Sequence, residues 1–139
     1  MERYDIIVVG AGPGGYVAAV RAAELGMRCA VVERAELGGV CLNWGCIPTK
    51  ALLKSAQVYN YTKHLGEYGL SEAEVKPDIA KIVARERGVS ATMSKGIEFL
   101  FKKNKIELHK GTATVVENHT VQVAPLEGEP YCIAADHII

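Results

Sequence analysis

The sequence predicts an α/β fold, a parallel sheet with helices joined to a small β-meander, and three observations carry that expectation. The run Tyr4-Asp5-Ile6-Ile7-Val8-Val9 is short and β-branched, the pattern of a strand buried on both faces of a parallel sheet. It passes straight into Gly10-Ala11-Gly12-Pro13-Gly14-Gly15, a helix-like stretch and a second apolar run, which is the order of a β-α-β unit. Beyond residue 105 the helical period gives way to short β-like runs divided by turn residues. At 139 residues, nearly half of them apolar, the chain fits one domain with a buried core.

Within the first unit, Gly10, Gly12 and Gly15 form Gly-x-Gly-x-x-Gly. Such glycines permit a tight turn, close backbone approach to a pyrophosphate and tight helix-strand packing, while the helix that follows supplies N–H donors and a positive dipole. That helix is expected over Tyr16 to Leu25, closed by Gly26. The second strand, Cys29-Ala30-Val31-Val32, ends in Glu33, close to the offset at which an acidic side chain meets ribose hydroxyls. A glycine turn alone can serve packing. Strand, turn, helix, strand and acid in sequence point instead to dinucleotide binding by Gly10, Gly12, Pro13, Gly14, Gly15 and Glu33, without choosing between FAD and NAD.

The stretch Gly38-Gly39-Val40-Cys41-Leu42-Asn43-Trp44-Gly45-Cys46-Ile47-Pro48-Thr49-Lys50 then places two thiols, a glycine hinge and a cation close together. Gly38 and Gly39 let the backbone turn from the ribose site toward the thiols, which lays Arg34, Ala35, Glu36, Leu37, Gly38, Gly39 and Val40 along the diphosphate of such a ligand. In a regular helix Cys41 and Cys46 would be about 7.5 Å apart along the axis, beyond the roughly 6.8 Å limit for bridged Cα atoms. A distorted turn over 41–47 is therefore expected, with a regular helix from Pro48. Cys46 and Lys50 share a helix face, where an ammonium and a helix N-terminus lower a thiol's pKa. The pair reads as a redox-active dithiol. Zinc would call for a second ligand pair, which the sequence does not supply, and so short a loop gives a structural disulfide little loop-closure entropy.

From Pro48 to about His64 a helix carries Ala51, Leu52, Ser55, Val58, Tyr59 and Thr62 near one stripe, and Tyr59, Tyr61 and Tyr68 suit core or rim packing. Residues 65–77 read as a loop. Asp78 is a plausible N-cap for a long helix to about Asn104, whose Ile79, Ile82, Val83, Val89, Met93, Ile97 and Leu100 form a core or subunit-facing stripe. Three β-like runs follow at 106–109, 111–116 and 120–123, and a fourth begins at Tyr131. His64, His109, His119 and His137 lack partners at motif spacing and read as surface or packing residues, while Cys29 and Cys132, in apolar runs, read as small hydrophobes.

Charges balance to zero, so there is no basic footprint for nucleic acid, and no apolar run is long enough to span a membrane. Met1-Glu2-Arg3-Tyr4-Asp5 does not resemble a signal peptide, which makes a cytoplasmic location the expectation.

The run from Gly38 to Lys50 closely resembles the active-disulfide motif of flavin-dependent pyridine nucleotide-disulfide oxidoreductases. Leu42, Ile47 and the Thr49-Lys50 ending resemble its dihydrolipoamide dehydrogenase branch, and Trp44 departs from the commoner Val. The resemblance implies a Rossmann-like FAD-binding domain in which Cys41 is the interchange thiol, Cys46 the charge-transfer thiolate facing the flavin, and Lys50 its neighbour. It further implies that the chain passes the adenine near Lys110 to Ala113, with Ala113 where a Gly is common. Residues 1–139 then correspond to a truncated N-terminal part of the FAD domain, with NAD and dimerisation domains absent. The implied partners are the dihydrolipoyl group of a 2-oxo acid dehydrogenase or glycine cleavage complex and, in the full-length parent, a second subunit. The alternatives are a catalytically silent dinucleotide-binding module and a sister reductase of the glutathione or mercuric type.

Overall fold

The computed structural model describes all 139 residues. Strand β1 (Glu2–Val9), helix α1 (Pro13–Glu24) and strand β2 (Cys29–Glu33) form the expected parallel unit, with Ile6 to Val9 registered against Cys29 to Val32. Helix α1 begins three residues before the expected Tyr16. Pro13 sits in its first turn, where a residue without an N–H loses nothing, so the second half of the glycine motif is helix rather than loop.

Two helices carry the thiols. Helices α2 (Gly39–Asn43) and α3 (Cys46–Tyr61) are separated only by Trp44 and Gly45, so the irregular turn expected over 41–47 narrows to two residues. The Trp44 N–H donates to the Val40 carbonyl at 2.8 Å and closes α2. The Gly45 carbonyl accepts both the Thr49 N–H at 3.1 Å and the Thr49 hydroxyl at 2.7 Å, which opens α3. A single 3-10 turn, Leu65–Tyr68, interrupts the loop before the next helix.

Helix α4 (Ile79–Lys103) starts where the sequence places it, with Asp78 accepting the Lys81 N–H at 3.1 Å. Of the expected core or subunit-facing stripe, Ile97 is buried, Ile82, Val89 and Leu100 are half-buried, and Ile79, Val83 and Met93 are exposed, while Glu86, Ser90 and Phe101 are also buried. At about 37 Å long, α4 outruns the sheet. Only its last turns reach the core, while its first half lies along α3, where Leu52 and Val58 are also exposed.

Strands β3 (Glu107–Lys110), β4 (Thr112–Glu117), β5 (Thr120–Ala124) and β6 (Tyr131–Ile138) complete one sheet in the order β3-β2-β1-β6-β5-β4. Strands β1, β2, β3 and β6 run parallel, and β4-β5-β6 is the antiparallel meander. On one side Ile6, Val8 and Val31 pack with α1 and with Ile97 and Phe101 of α4. A second core joins Tyr4, Ile7 and Val32 to Val121, Val123 and Ile133 of the meander. Cys29 is buried as expected, but Cys132 is exposed, one residue out of phase with the buried Ile133. No helix is long and apolar enough to cross a membrane.

Candidate functional site

The glycine turn after β1 pairs the Gly10 N–H with the Val32 carbonyl but leaves the start of α1 without a side-chain cap. Gly10 takes φ +99°, and a Cβ at Gly15 would stand 1.9 Å from the Gly10 carbonyl oxygen, so only hydrogen fits where α1 crosses the end of β1. A Cβ at Gly12 or Gly14 would meet nothing within 4 Å, and Gly12, as N-cap of α1, offers no side-chain acceptor. Free space above uncapped first-turn amides fits the diphosphate of a dinucleotide. Glu33 stands beside this turn, its carboxylate accepting the Ala11 N–H at 2.7 Å and the Ala35 N–H at 2.8 Å. Arg34, Ala35 and Glu36 are exposed and Leu37 is buried, so of this stretch Leu37 acts through packing.

The thiol segment is docked on that turn. The Gly38 N–H donates to the Ala11 carbonyl at 2.8 Å. Gly39 takes φ +57°, and a Cβ there would lie 2.9 Å from the Gly12 Cα, so the two glycine turns touch. Val40 is exposed, Cys41 half-buried on α2, and Cys46 exposed as the first residue of α3. A Cβ at Gly45 would meet the Val40 carbonyl oxygen at 3.0 Å and the Cys41 Cα at 3.3 Å, which explains a glycine between the two helices. The adjacent Cys46 thiol is the largest influence on Cys41, whose own thiol is pushed above the ordinary range; partial burial adds to this, and the Lys50 charge acts in the opposite sense. The raised Cys41 thiol follows first from the hydrogen bond it shares with the Cys46 sulfur, which favours its protonated form.

The chain reaches the same edge of the sheet again after β3. Lys110 registers with Glu33, and the Gly111 N–H donates to the Glu33 carbonyl at 2.9 Å. Ala113 pairs with Val123 and packs half-buried against the meander core. A groove of about 550 Å³ runs between the 33–37 segment and α4, lined by Glu33, Trp44, Arg87, Ser94, Lys95 and Lys110 among others. Sequence reasoning missed the α4 contribution. Asn43, Arg87 and Ser94 form a polar anchor between α2 and α4, and Asn43 inside the thiol motif was the available signal.

Comparison with known proteins agrees with this geometry. The pyridine nucleotide-disulphide oxidoreductase family pattern matches residues 4–139. A dihydrolipoyl dehydrogenase of Rhizobium etli is 54% identical over 117 residues, covering 84% of this chain and 24% of that protein. One of Zymomonas mobilis is 46% identical over 138 residues, covering 99% and 30%. Among solved structures, the Cu(II) complex of the HOCl-induced flavoprotein disulfide reductase RclA from Escherichia coli superposes with a TM-score of 0.81 at 27% identity, covering 99% of this chain and 28% of that one. The chain thus spans about a quarter to a third of the length of these relatives.

Proposed function

The chain belongs to the pyridine nucleotide-disulphide oxidoreductase family, and from that premise we propose that it is the FAD-binding, dithiol-bearing part of a dihydrolipoyl dehydrogenase. The longer protein would convert dihydrolipoamide and NAD+ to lipoamide and NADH, as a homodimer serving a 2-oxo acid dehydrogenase or glycine cleavage complex. The observation that carries the reading is the contact between the two glycine turns, Gly39 against Gly12, which supports a dithiol working beside the proposed dinucleotide cradle.

In this reading Gly10 to Gly15 and the start of α1 would hold the diphosphate of FAD, Glu33 would meet the ribose, and Lys50 would serve the redox end of the site. When bound, FAD supplies the two-electron acceptor that a dithiol requires. With the Cys41-Cys46 disulfide formed, one dihydrolipoyl thiolate attacks Cys41 Sγ, forms a mixed disulfide and releases Cys46 as thiolate. The second dihydrolipoyl thiolate then displaces Cys41, closing lipoamide and leaving both protein sulfurs reduced. The two substrate protons leave with solvent or a base outside these residues.

The substrate class is tested by reducing the oxidised chain with dihydrolipoamide or with glutathione at equal thiol concentration. The reading expects dihydrolipoamide to react at least about tenfold faster, since its second thiol attacks intramolecularly. A preference for glutathione would assign the chain to a sister reductase.

A further inference from the structure

Resting on the reading of Cys41 and Cys46 as a redox pair, we propose that Ser94 of α4 is a positioning residue for that pair and acts through Asn43. Asn43 ends α2, two residues beyond Cys41. Its side-chain amide donates to the carbonyls of Leu37 and Gly39, both at 3.0 Å, tying the end of α2 to its own start. The Ser94 hydroxyl shares its single proton between the Leu37 carbonyl at 2.8 Å and the remaining Asn43 Oδ1 at 3.1 Å, so it grips both the Asn43 side chain and the carbonyl to which that side chain donates. Arg87, two turns earlier on α4, donates to the Asn43 carbonyl at 3.1 Å.

A five-residue helix makes too few internal hydrogen bonds to hold itself. The orientation of α2 therefore comes from outside, from Leu42 buried in the core, from the Gly38 bond to Ala11 and from this anchor. Cys41 rides on α2 and Cys46 on α3, so the freedom of α2 governs how often the sulfurs meet. A disulfide clamps the two helices whatever the anchor does, whereas the dithiol depends on the anchor. Loosening the anchor widens the dithiol ensemble and disfavours the bridge.

The test equilibrates the protein in glutathione buffers. Oxidised glutathione joins Cys41 Sγ to Cys46 Sγ and is itself reduced to two glutathione molecules, which take up the two thiol hydrogens. Ser94→Ala is expected to lower the equilibrium constant for bridge formation by about three- to tenfold, the worth of one net hydrogen bond. Ser94→Thr keeps the hydroxyl and is expected to restore it, and Thr92→Ala, which removes a hydroxyl bonded to the Gly88 carbonyl on the same helix, leaves it unchanged. Equal constants for wild type and a folded Ser94→Ala would overturn the positioning role while leaving the redox pair intact. A wild type that forms no intramolecular bridge would refute the redox pair itself. Should Ser94→Ala fail to fold, the exposed Arg87→Gln decides: a lower constant supports the anchor, an unchanged one overturns it.

Discussion

The Tyr4 hydroxyl donates to Glu107 at 2.6 Å and lies 3.0 Å from His109 Nε2, whereas Gly12, at the other polar centre of the molecule, offers the first-turn amides of α1 no side chain. Around Tyr4 each group has a protein partner. His109 Nδ1 meets the Tyr131 hydroxyl at 2.9 Å, and Arg28 lies over the Tyr4 ring while pairing with Glu2 and Glu107. With the Tyr4 O–H committed to Glu107, Nε2–H donates to Tyr4 and Nδ1 accepts from Tyr131, so β1, β3 and β6 are pinned together. At the other centre α1, α2 and α3 all start on glycines, Gly12, Gly38 and Gly45, without side-chain caps; α4, which starts away from the site, is capped by Asp78. Self-satisfied polar groups stabilise a fold, and unsatisfied helix starts are available to a ligand. The comparison separates the residues that build this domain from those that serve it.

The largest effect that would sharpen this contrast is expected at the turn itself. Gly15→Ala drives a methyl into the Gly10 carbonyl and should cost about 3 kcal/mol or more in urea unfolding. A near-neutral result would mean that the turn is not held as described. Tyr4→Phe, in the saturated cluster, should cost about 1–2 kcal/mol by leaving Glu107 and His109 without a shared partner. It should leave dinucleotide binding intact, and a loss of binding at full stability would break the separation. The smallest effect is acid sensitivity. Burial holds the His109 imidazole below the usual histidine range, and the Tyr4 hydroxyl and then Arg28 hold the Glu107 carboxyl below its own. Both groups bind protons less readily folded than unfolded, so each contribution is full above the unfolded pKa and is lost as pH falls through it toward the folded value. Unfolding curves should weaken from about pH 6.5 downward, less steeply in His109→Gln; an identical slope in that variant would contradict the assignment.

What was legible in the sequence was local. The β-α-β order, Glu33 at the end of β2 and the Asp78 cap each follow from neighbouring residues and a short-range rule. The rest needed the packed molecule. How much of the α4 stripe is covered was not legible, because it depends on where the sheet ends beneath a long helix. The raised Cys41 thiol was not legible either, because it depends on a second sulfur packed beside it. The contact of Gly39 with Gly12, and the hold of Ser94 on Asn43, join segments far apart in the chain, and periodicity carries no record of them.

The central claim, that Cys41 and Cys46 pass electrons to a flavin anchored by the first glycine turn, is tested most directly by loading the protein with FAD, adding a dithiol without oxygen and following the visible absorbance. Wild type is predicted to lose the oxidised flavin spectrum in excess dithiol, after a first equivalent that reduces the disulfide, while Cys46→Ser retains both its FAD and that spectrum. Loss of FAD from Cys46→Ser, or bleaching at the same rate in both proteins, would contradict the account.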